Sequence, residues 1–387
     1  MAKKKVNVAM IGAQFMGKAH SNAWRQVRAF FDLPVDPVMK VICGKFPEEL
    51  EVADQWGWEE TDLDWRRVVN RPDIDIVDVC TPNFLHPPIA IAAAKAGKHV
   101  VCEKPLANTL VEAKEMLAAV TRARVKHMCG FSYRFAPAVA TIKKMMSRGE
   151  LGRIFHFRAA YQQDWIVDPD FPMVWRLKKK HTGSGALGDI GAHITDLCQH
   201  LVGDISEVCA TMQTFIKRRP ISERDTGISG KAKEKRTAKT GTVDVDDAAI
   251  FLGRIKGADT LATFEATRFA TGRRNCNSIE IYGSNGSVTW NQEDMNFFHY
   301  YSAADPGYAQ GFRRVHATDP GHPYIEAWWP TGHILGYEHL FVHEARDFLS
   351  NLNKTAAPYS TFADAVSCQK VLAAVERSAK SKKWEKV

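Results

Sequence analysis

The sequence predicts a two-domain protein of class α/β plus α+β, in which a doubly wound parallel sheet is followed by a large, mostly antiparallel sheet. Over residues 1–130, short apolar runs alternate with helical patterns, which is typical of βαβ units with right-handed crossovers. Over residues 131–387, most predicted strands follow other strands directly, which favours antiparallel pairing. A chain of 387 residues is long enough to form two such domains.

The first domain is predicted to hold five parallel strands separated by helices. The runs predicted as strands are VNVAMIG at 6–12, VMKVICG at 38–44, IDIVDVCTP at 74–82, KHVVCEKP at 98–105 and VKHMCGFSY at 125–133. Segments such as PEELEVADQWG and TLVEAKEMLAAVTRA, which lie between them, have the periodicity of amphipathic helices.

The second domain is predicted to contain two early helices and several strands. The helices are APAVATIKKMMSRGE at 136–150 and ALGDIGAHITDLCQHLVG at 186–203. The strands are RIFHFRAAYQQDW at 153–165, SEVCATMQTFIK at 206–217, DDAAIFLGRI at 246–255, TLATFEATRF at 260–269 and SIEIYGSNGSVTW at 278–290. The last run contains Asn-Gly between alternating apolar residues, which predicts a β-hairpin.

The net charge of +8 comes mainly from one stretch. Nine Lys or Arg and three Asp or Glu lie between Lys217 and Lys239, so this stretch contributes +6 and the rest of the chain +2. The run SGKAKEKRTAKTG within it has no apolar periodicity, which indicates a solvated surface loop. We therefore expect no nucleic-acid partner.

The cysteines and the hydropathy pattern indicate a cytoplasmic chain. The eight cysteines form no C-x-x-C pair and no zinc-type spacing with histidine. No window approaches about 18 consecutive apolar residues, and the basic start MAKKK is followed by neither a signal-peptide core nor a cleavage site. We expect no membrane association.

A glycine-containing turn, GAQFMG at 12–17, follows the first strand. In the dinucleotide-binding loop G-x-G-x-x-G, the first glycine allows a tight turn, the second admits the pyrophosphate and the third lets the helix pack on the strand. Gly12 and Gly17 hold the first and third positions, while Gln14 replaces the second. The predicted strand, turn and helix support a cofactor loop. We expect the Gln14 side chain to turn away from the phosphates in this loop, with an amide that can still donate a hydrogen bond to one of them.

The end of the second predicted strand bears on the choice between NAD and NADP. An acidic residue there normally binds the adenosine ribose and selects NAD, but the sequence reads VICGK, with Gly44 in that position and Lys45 next. No carboxylate is expected there to repel a 2′-phosphate, and a cation is available to pair with one. The cofactor is predicted to be NAD or NADP.

Two further segments carry polar groups where ligands bind in such folds. TPNFLHPPIAIAAAKAGKHVVCEKPLA, at 81–107, covers the ends of two parallel strands, where open α/β sheets bind ligands. GALGDIGAH, at 185–193, places Asp189 and His193 four residues apart on one face of a predicted helix. Together with the glycine loop and MGKAHS, these segments resemble the glucose-fructose oxidoreductase / inositol dehydrogenase family, Gfo/Idh/MocA, over essentially the whole chain. YQQDW, VDVDD and HPYIEAWWP are similar to segments of family members that oxidise an anhydrosugar.

The resemblance implies a Rossmann domain for cofactor binding and three catalytic residues. Lys104 matches the lysine that binds the reacting hydroxyl, and Asp189 and His193 match the substrate-site pair with histidine as acid/base. An imidazole suits proton transfer near neutral pH, and an ammonium stabilises a developing alkoxide. Taken singly, Asp189 is also compatible with a helix cap and His193 with a core histidine; the joint pattern with Lys104 favours chemistry.

The residues implied in cofactor binding follow the glycine loop and the strand ends. They are Gly12, Gln14, Phe15, Met16, Gly17, Gly44, Lys45, Thr81, Pro82, Asn83, His86, Glu103 and Lys104. His20 and His86 are expected to shape these loops and not to take part in the chemistry.

Sugar recognition is expected from the sheet of the second domain and the loops near it. The candidates, chosen as polar groups beside aromatic rings, are Tyr133, Gln163, Asp164, Trp165 and Arg176. For each of them a packing role is an equally good interpretation. The spacing from His193 to His200 matches no metal template, so no metal is predicted.

The predicted activity is hydride transfer between nicotinamide and a secondary hydroxyl carbon of a sugar, anhydrosugar or inositol. The open sheet face is expected to pack on a second subunit, because an exposed apolar face is costly, which predicts a homodimer or homotetramer. Two alternatives stay open from the sequence: a glycoside-cleaving enzyme that oxidises its sugar transiently, and a nucleotide- or sugar-sensing protein without turnover.

Overall fold

The computed structural model describes residues 3–222, 236–354 and 358–387. The chain forms two compact units: Met1–Ala136 with Asp319–Val366, and Pro137–Thr318 with Ser367–Val387. This division differs from the expected boundary between residues 130 and 131, because a late segment returns to the first unit. This return brings the helix Glu338–Ser350 into the core of the first unit, where it packs against the helix Phe15–Phe30.

Regular elements cover most of the described ranges. The strands are β1 (Lys4–Ile11), β2 (Val35–Cys43), β3 (Glu60–Asp62), β4 (Ile76–Val79), β5 (His99–Glu103), β6 (His127–Gly130), β7 (Ile154–Gln162), β8 (Ile205–Gln213), β9 (Arg218–Ser222), β10 (Arg236–Thr242), β11 (Ala248–Ile255), β12 (Leu261–Thr267), β13 (Cys276–Gly283), β14 (Gly286–Asn291), β15 (Phe297–Ser302), β16 (Arg313–His316) and β17 (Glu385–Lys386). The α-helices are α1 (Phe15–Phe30), α2 (Ala53–Trp56), α3 (Trp65–Val69), α4 (His86–Lys95), α5 (Leu110–Ala123), α6 (Pro137–Ser147), α7 (Lys179–Thr182), α8 (Ala192–Leu201), α9 (Glu338–Ser350) and α10 (Phe362–Ser381).

The first unit contains a parallel sheet with the strand order β3-β2-β1-β4-β5-β6, six strands within the described ranges. This order reverses between β1 and β4, as in doubly wound sheets, so the prediction for the first domain is confirmed. β3 was not predicted, since ETD is short and polar and forms the sheet edge.

The core of the first unit joins the sheet to helices from both ends of the chain. Val8 and Met10 of β1 are fully buried. They share one apolar cluster with Trp24 of α1 and with Phe341 and Phe348 of α9. The segment after Asp319 therefore completes the core that supports α1.

The second unit contains a large sheet with the order β16-β15-β14-β13-β7-β12-β11-β8-β17, nine strands in the part of the chain that is described. β7 and β12 are parallel and the other neighbours are antiparallel, so the prediction of a mostly antiparallel sheet is confirmed. β13 and β14 form the expected hairpin, with Ser284 and Asn285 at its tip.

Several strands of the second unit were not predicted. β15, β16 and β17 extend the two edges of the sheet, and a sequence such as RRVH lacks the apolar alternation that marks a strand. The basic stretch expected to be a loop begins and ends in β9 and β10, which pair with each other. Its middle, residues 223–235, lies outside the described residues.

The two faces of the large sheet differ in character. Phe157, Phe251 and Phe264 point to the buried face, where the rings of the last two stack at 4.4 Å. Leu252 and Leu261 lie on the other face and are about half exposed. Within the described ranges we find no helix with the length and apolarity required to cross a bilayer.

Candidate active site

The glycine loop between β1 and α1 is closely packed against neighbouring backbone. Gly12 has φ +113°, and a Cβ there would lie 2.5 Å from the Cys80 carbonyl oxygen. A Cβ on Gly17 would lie 2.0 Å from the Gly12 carbonyl oxygen. Only glycine fits at either position, which agrees with the tight turn and close packing expected of them.

The N-terminus of α1 has no side-chain cap. Gln14 stands at the N-cap position, but its side chain makes no hydrogen bond to the helix, and the first turn holds no acidic residue. The first N–H groups of a helix have no partner within it and carry the positive end of its dipole. The turn that begins with Phe15 and Met16 therefore suits a phosphate group.

A carboxylate lies at the end of β2, where none was expected. Glu49 Oε2 accepts hydrogen bonds from the backbone N–H groups of Lys45 (2.9 Å) and Phe46 (3.3 Å). Its Oε1 accepts one of 3.1 Å from the amide of Gln14. The prediction that no carboxylate lies at this strand end, based on Gly44, was therefore wrong.

His86 connects the loops that follow β4 and β5. Its ring nitrogens lie 2.8 Å from the Thr81 carbonyl oxygen and 3.0 Å from the Pro105 carbonyl oxygen. Burial lowers the pKa of His86, which favours the neutral ring. The Thr81 hydroxyl is buried without a hydrogen-bond partner among the described residues. Pro82 and Asn83 follow at the same strand end, where the Thr81 hydroxyl is available to a ligand.

Glu103 points into the interior of the first unit. Its carboxylate lies 3.0 Å from the Nε2 atom of His20 and also accepts a hydrogen bond of 3.2 Å from the backbone N–H of Lys104. A Cβ on Gly130 would lie 2.5 Å from Glu103 Oε1. Both carboxylate oxygens thus have partners within the protein, and Glu103 supports the backbone that carries Lys104. The expected contact of Glu103 with a cofactor stays a prediction.

A buried charge cluster continues behind Glu103. The Nδ1 atom of His20 lies 2.9 Å from Asp78, and the Trp24 indole donates to the same carboxylate at 2.7 Å. Burial disfavours the imidazolium, but the interactions with Asp78 and Cys80 together more than compensate, and the pKa of His20 is raised well above its ordinary value. The expectation that His20 shapes the cofactor loops is compatible with this position.

Three ligand-type atoms of this cluster, from His20, Asp78 and Cys80, lie within 4.8 Å of one another. Both ring nitrogens of His20 are already within hydrogen-bond distance of carboxylates. Burial raises the pKa of the Cys80 thiol, and a protonated thiol is a poor metal ligand. The absence of a metal stays a prediction.

In the second unit, Asp189 lies on a π-helical turn that leads into α8. The turn spans Leu187–Gly191, and His193 follows in the first turn of α8. Asp246, from the VDVDD segment, accepts hydrogen bonds from the backbone N–H groups of Gly185 (2.6 Å) and Leu187 (2.8 Å). Asp246 thereby caps the start of the helix, so the alternative that Asp189 is the cap does not hold.

Arg268 fixes the Asp189 carboxylate. The side chain of Arg268 is 1% exposed, and its Nη2 donates to Asp189 Oδ2 at 2.7 Å and to the Gly185 carbonyl oxygen at 3.2 Å. Its guanidinium also lies 5.4 Å from the centre of the Trp165 ring. Asp189 is 27% exposed. Asp189 is therefore an oriented hydrogen-bond acceptor that remains accessible.

His193 lies beside a chain of polar side chains from the large sheet. Its ring is 5.8 Å from that of Tyr161, whose hydroxyl donates to Asn275 Oδ1 at 2.7 Å. Gln163 donates to the same oxygen at 2.8 Å and accepts a hydrogen bond of 3.1 Å from Trp165. With Arg268 over Trp165, this chain extends from the neighbourhood of His193 to that of Asp189.

The other candidates for sugar recognition are placed differently. Asp164 is 10% exposed, and its carboxylate binds the Arg274 guanidinium at 3.1 Å and the Gly272 N–H at 3.0 Å. It thus holds a loop, which supports the packing interpretation, and its role in sugar recognition stays a prediction. Arg176 lies over the ring of its neighbour Trp175. Tyr133 is buried in the first unit and not in the sheet unit with Gln163 and Trp165.

Sequence reasoning missed Glu49, Arg268 and Tyr161. A signal existed for two of them, since Tyr161 and Arg268 continue the alternation of inward-facing residues along β7 and beyond β12. A charged residue in an inward position needs a partner. Glu49 gave no such signal, because acidic residues are common in the first turn of any helix.

Both parts of the chain match known proteins. Residues 6–131 match the family model for an oxidoreductase family with an NAD-binding Rossmann fold, and residues 139–289 match the GFO/IDH/MocA C-terminal domain. The chain is 41% identical over 384 residues to levoglucosan dehydrogenase of Pseudarthrobacter phenanthrenivorans, covering 98% of each sequence.

Solved structures also match over essentially the full length of the chain, and two of them serve as examples. An oxidoreductase domain protein from Kribbella flavida superposes with a TM-score of 0.93 and 48% identity, covering 100% of both chains. A levoglucosan dehydrogenase in complex with NADH and levoglucosan superposes with a TM-score of 0.92 and 41% identity, covering 99% of this chain and 100% of the other.

Proposed function

Because this chain belongs to the GFO/IDH/MocA family of oxidoreductases, we propose that it is a dehydrogenase that oxidises an anhydrosugar of the levoglucosan type with a nicotinamide dinucleotide. Its class is an NAD(P)-dependent oxidoreductase of sugars and polyols. The choice of an anhydrosugar is the finer part of the proposal. It is supported by the 41% identity to levoglucosan dehydrogenase, which extends through both units.

The proposal rests on two sets of features, one in each unit: the first suits a cofactor and the second suits a substrate. The first has a glycine loop in which no side chain fits at positions 12 and 17, followed by an uncapped helix end. The second presents an oriented carboxylate, Asp189, four residues before a histidine, His193. A nucleotide-sensing protein would need the first set of features alone.

The cofactor is held by the first unit in this proposal. The N-terminal turn of α1 binds the pyrophosphate, and the strand end at Thr81, Pro82 and Asn83 binds the nicotinamide half through backbone and hydroxyl groups. The nicotinamide ring, once bound, accepts the hydride from the substrate carbon. Glu103 and His86 hold the loop that carries Lys104 at the edge of this cofactor site.

Lys104 and His193 both act on the reacting hydroxyl group of the substrate. The hydroxyl loses its proton to a ring nitrogen of His193 as the carbon loses its hydride, so one C–H bond and one O–H bond break while a C=O bond forms. The Lys104 ammonium stabilises the negative charge that develops on this oxygen. The reverse reaction uses the same groups with His193 as the acid.

Asp189 positions the sugar by accepting a hydrogen bond from a hydroxyl group. Its contact with Arg268 fixes the carboxylate in place, which suits a hydrogen-bond acceptor better than a proton-transfer group. Trp165, whose indole is held by Gln163, offers an aromatic face beside the same carboxylate. Arg176 and Tyr133 stay candidates for contacts with the sugar.

The proposal is tested by steady-state oxidation with NAD and NADP of levoglucosan, glucose, a methyl glucoside and myo-inositol, together with product analysis. We expect levoglucosan to give a ketosugar in a one-to-one ratio with reduced cofactor. His193→Asn should lower kcat by about 10²- to 10⁴-fold, and Lys104→Met should do the same while cofactor binding is retained. Oxidation of inositol or glucose in preference to levoglucosan would contradict the choice of substrate. Aglycone release without net reduction would contradict the reaction type.

The assembly and location of the protein are further proposals. Ile250, Leu252 and Leu261 expose an apolar strip on the outer sheet face, which supports a homodimer or homotetramer formed through this face. Leu252→Arg should then lower the mass measured by light scattering. The eight cysteines are free, and seven of them are buried, which supports a reducing, cytoplasmic environment.

A further inference from the structure

The two departures from the dinucleotide-binding pattern meet at one carboxylate. Gln14 stands where the second glycine of the loop is expected, and Gly44 stands where the ribose-binding acid is expected. Glu49 Oε1 accepts a hydrogen bond of 3.1 Å from the Gln14 amide. Its Oε2 lies 3.3 Å from the position that a Cβ on Gly44 would take. Glu49 therefore connects the two unusual positions.

The carboxylate of Glu49 is fixed against the end of β2. The backbone N–H groups of Lys45 and Phe46 both donate to Oε2, and the side chain is partly buried, whereas its neighbour Glu48 is exposed. Two backbone donors and one amide hold the negative charge in one place. A side chain at position 44 would compete for this space, since a Cβ there would also lie 3.0 Å from Leu50.

Lys45, the cation next to this site, has its ammonium over the ring of Phe46. Lys45 is exposed, and its ammonium lies 4.8 Å from the centre of the Phe46 ring. A flexible, solvated lysine contributes little to a fixed ionic contact. The fixed charge at the end of β2 is therefore negative, although the local sequence GK suggests the opposite.

On the basis of the proposed cofactor binding by the first unit, we propose that Glu49 makes the enzyme selective for NAD over NADP and that Gln14 holds it in position. A carboxylate at this strand end accepts hydrogen bonds from the ribose 2′-hydroxyl. It repels a 2′-phosphate, which adds a charge of about −1.5 to −2 at neutral pH. The glutamine in the loop and the glycine at the strand end are thus two parts of one arrangement.

The test is direct binding of NADH and of NADPH, followed by the fluorescence of the reduced nicotinamide. Glu49→Gln is compared with Glu48→Gln, which removes the same unit of charge one residue away. We expect the native protein to bind NADH about tenfold or more tightly than NADPH, and Glu49→Gln to raise the affinity for NADPH about tenfold. Glu48→Gln should change it less than about twofold. Thermal unfolding of each variant verifies that it is folded.

Two further variants separate the contributions of the neighbours. Gln14→Gly restores the glycine of the loop but removes the amide that holds Glu49, so it should shift the preference in the same direction by a smaller factor. Lys45→Gln should leave the ratio of the two affinities unchanged. Raising the salt concentration should weaken the discrimination against NADPH in the native protein and in Glu48→Gln, but not in Glu49→Gln.

The outcomes distinguish this inference from the function on which it rests. Equal effects of Glu49→Gln and Glu48→Gln, or a loss of NADPH binding in Lys45→Gln alone, would overturn the role of Glu49 while leaving the dehydrogenase intact. If the native protein binds neither NADH nor NADPH, the proposed function fails and the inference fails with it. If the native protein prefers NADPH, the inference alone is wrong.

Discussion

The guanidinium of Arg268 donates a hydrogen bond of 2.7 Å to the carboxylate of Asp189. Arg268 follows strand β12 and is almost fully buried, whereas Asp189 lies on a π-helical turn and is partly accessible. π-Helical turns are frequent at functional sites. The pair joins the large sheet to the helix that carries His193, so the sheet positions the groups that we assign to the sugar.

Arg268→Gln is expected to lower kcat/KM by about 10- to 100-fold, because a hydrogen bond to a charged group is worth about 1.5–3 kcal/mol. If Arg268 acts through Asp189, the double variant with Asp189→Asn should be no less active than Asp189→Asn alone. Arg274→Gln is the matched control, since it also removes an arginine that pairs with an aspartate but is 82% exposed. Multiplicative losses in the double variant would show that Arg268 does not act through Asp189.

Gly130→Ala is expected to destabilise the first unit and to reduce activity. Its Cβ would lie 2.5 Å from Glu103 Oε1, and overpacking of this kind costs about 1–3 kcal/mol. Displacement of Glu103 also removes the acceptor for the backbone N–H of Lys104. Gly311→Ala, where a Cβ would meet nothing within 4 Å, serves as the control. Denaturant unfolding and kcat measure the two effects, and native values for Gly130→Ala would contradict the placement of Glu103.

His20 should make the stability of the protein depend on pH. Burial lowers the pKa of His20, but the interactions with Asp78 and Cys80 together outweigh burial and raise it above its ordinary value of 6.5. The stabilisation is therefore complete below about pH 6.5 and is lost as the pH rises through the folded-state pKa. Glu103, Cys80 and the buried Glu344, whose pKa burial raises, also face this group.

The measurement for His20 is the free energy of unfolding in denaturant across a series of pH values. From neutral to alkaline pH, the native protein should lose more stability than His20→Gln, which keeps a hydrogen-bond donor but does not titrate. The difference between the two proteins should shrink as the pH rises. Parallel pH dependences would show that the His20 imidazolium does not contribute to stability.

Asp246→Ala is expected to lower the free energy of unfolding by about 1–2 kcal/mol or more, as the loss of a helix cap does. It leaves the N–H groups of Gly185 and Leu187 without their acceptor in a buried position. Asp244→Ala is the comparison, because Asp244 binds one N–H, that of Lys179, and is exposed. If both variants lose the same stability, the capping role of Asp246 is not supported.

The sequence was sufficient for features encoded locally. Hydrophobic runs and their spacing predicted both sheets, and the positions of Lys104 at a strand end and of Asp189 and His193 on one helical segment followed from the same patterns. Gly12 and Gly17 were identified because a tight turn and close packing each require glycine. These are properties of short segments, which sequence reasoning handles well.

The parts that could not be predicted depend on contacts between distant residues. Glu49 lies 35 positions from Gln14, and Arg268 lies 79 positions from Asp189. The return of α9 to the first unit likewise depends on packing against α1. Neither helix sequence indicates which element the helix packs against. Only the folded chain shows that the carboxylate of Glu49 lies beside Gly44 and accepts a hydrogen bond from Gln14.

The most direct test of the proposed dehydrogenase activity follows a labelled hydride from the sugar to the cofactor. Levoglucosan carrying deuterium on its hydroxyl-bearing carbons is incubated with the protein and NAD, and the reduced cofactor and the sugar product are analysed by mass spectrometry. We expect one deuterium in each reduced nicotinamide and an equal amount of ketosugar, with both formed at least about 100-fold more slowly by His193→Asn. Binding of cofactor without transfer of the label would contradict the proposed activity.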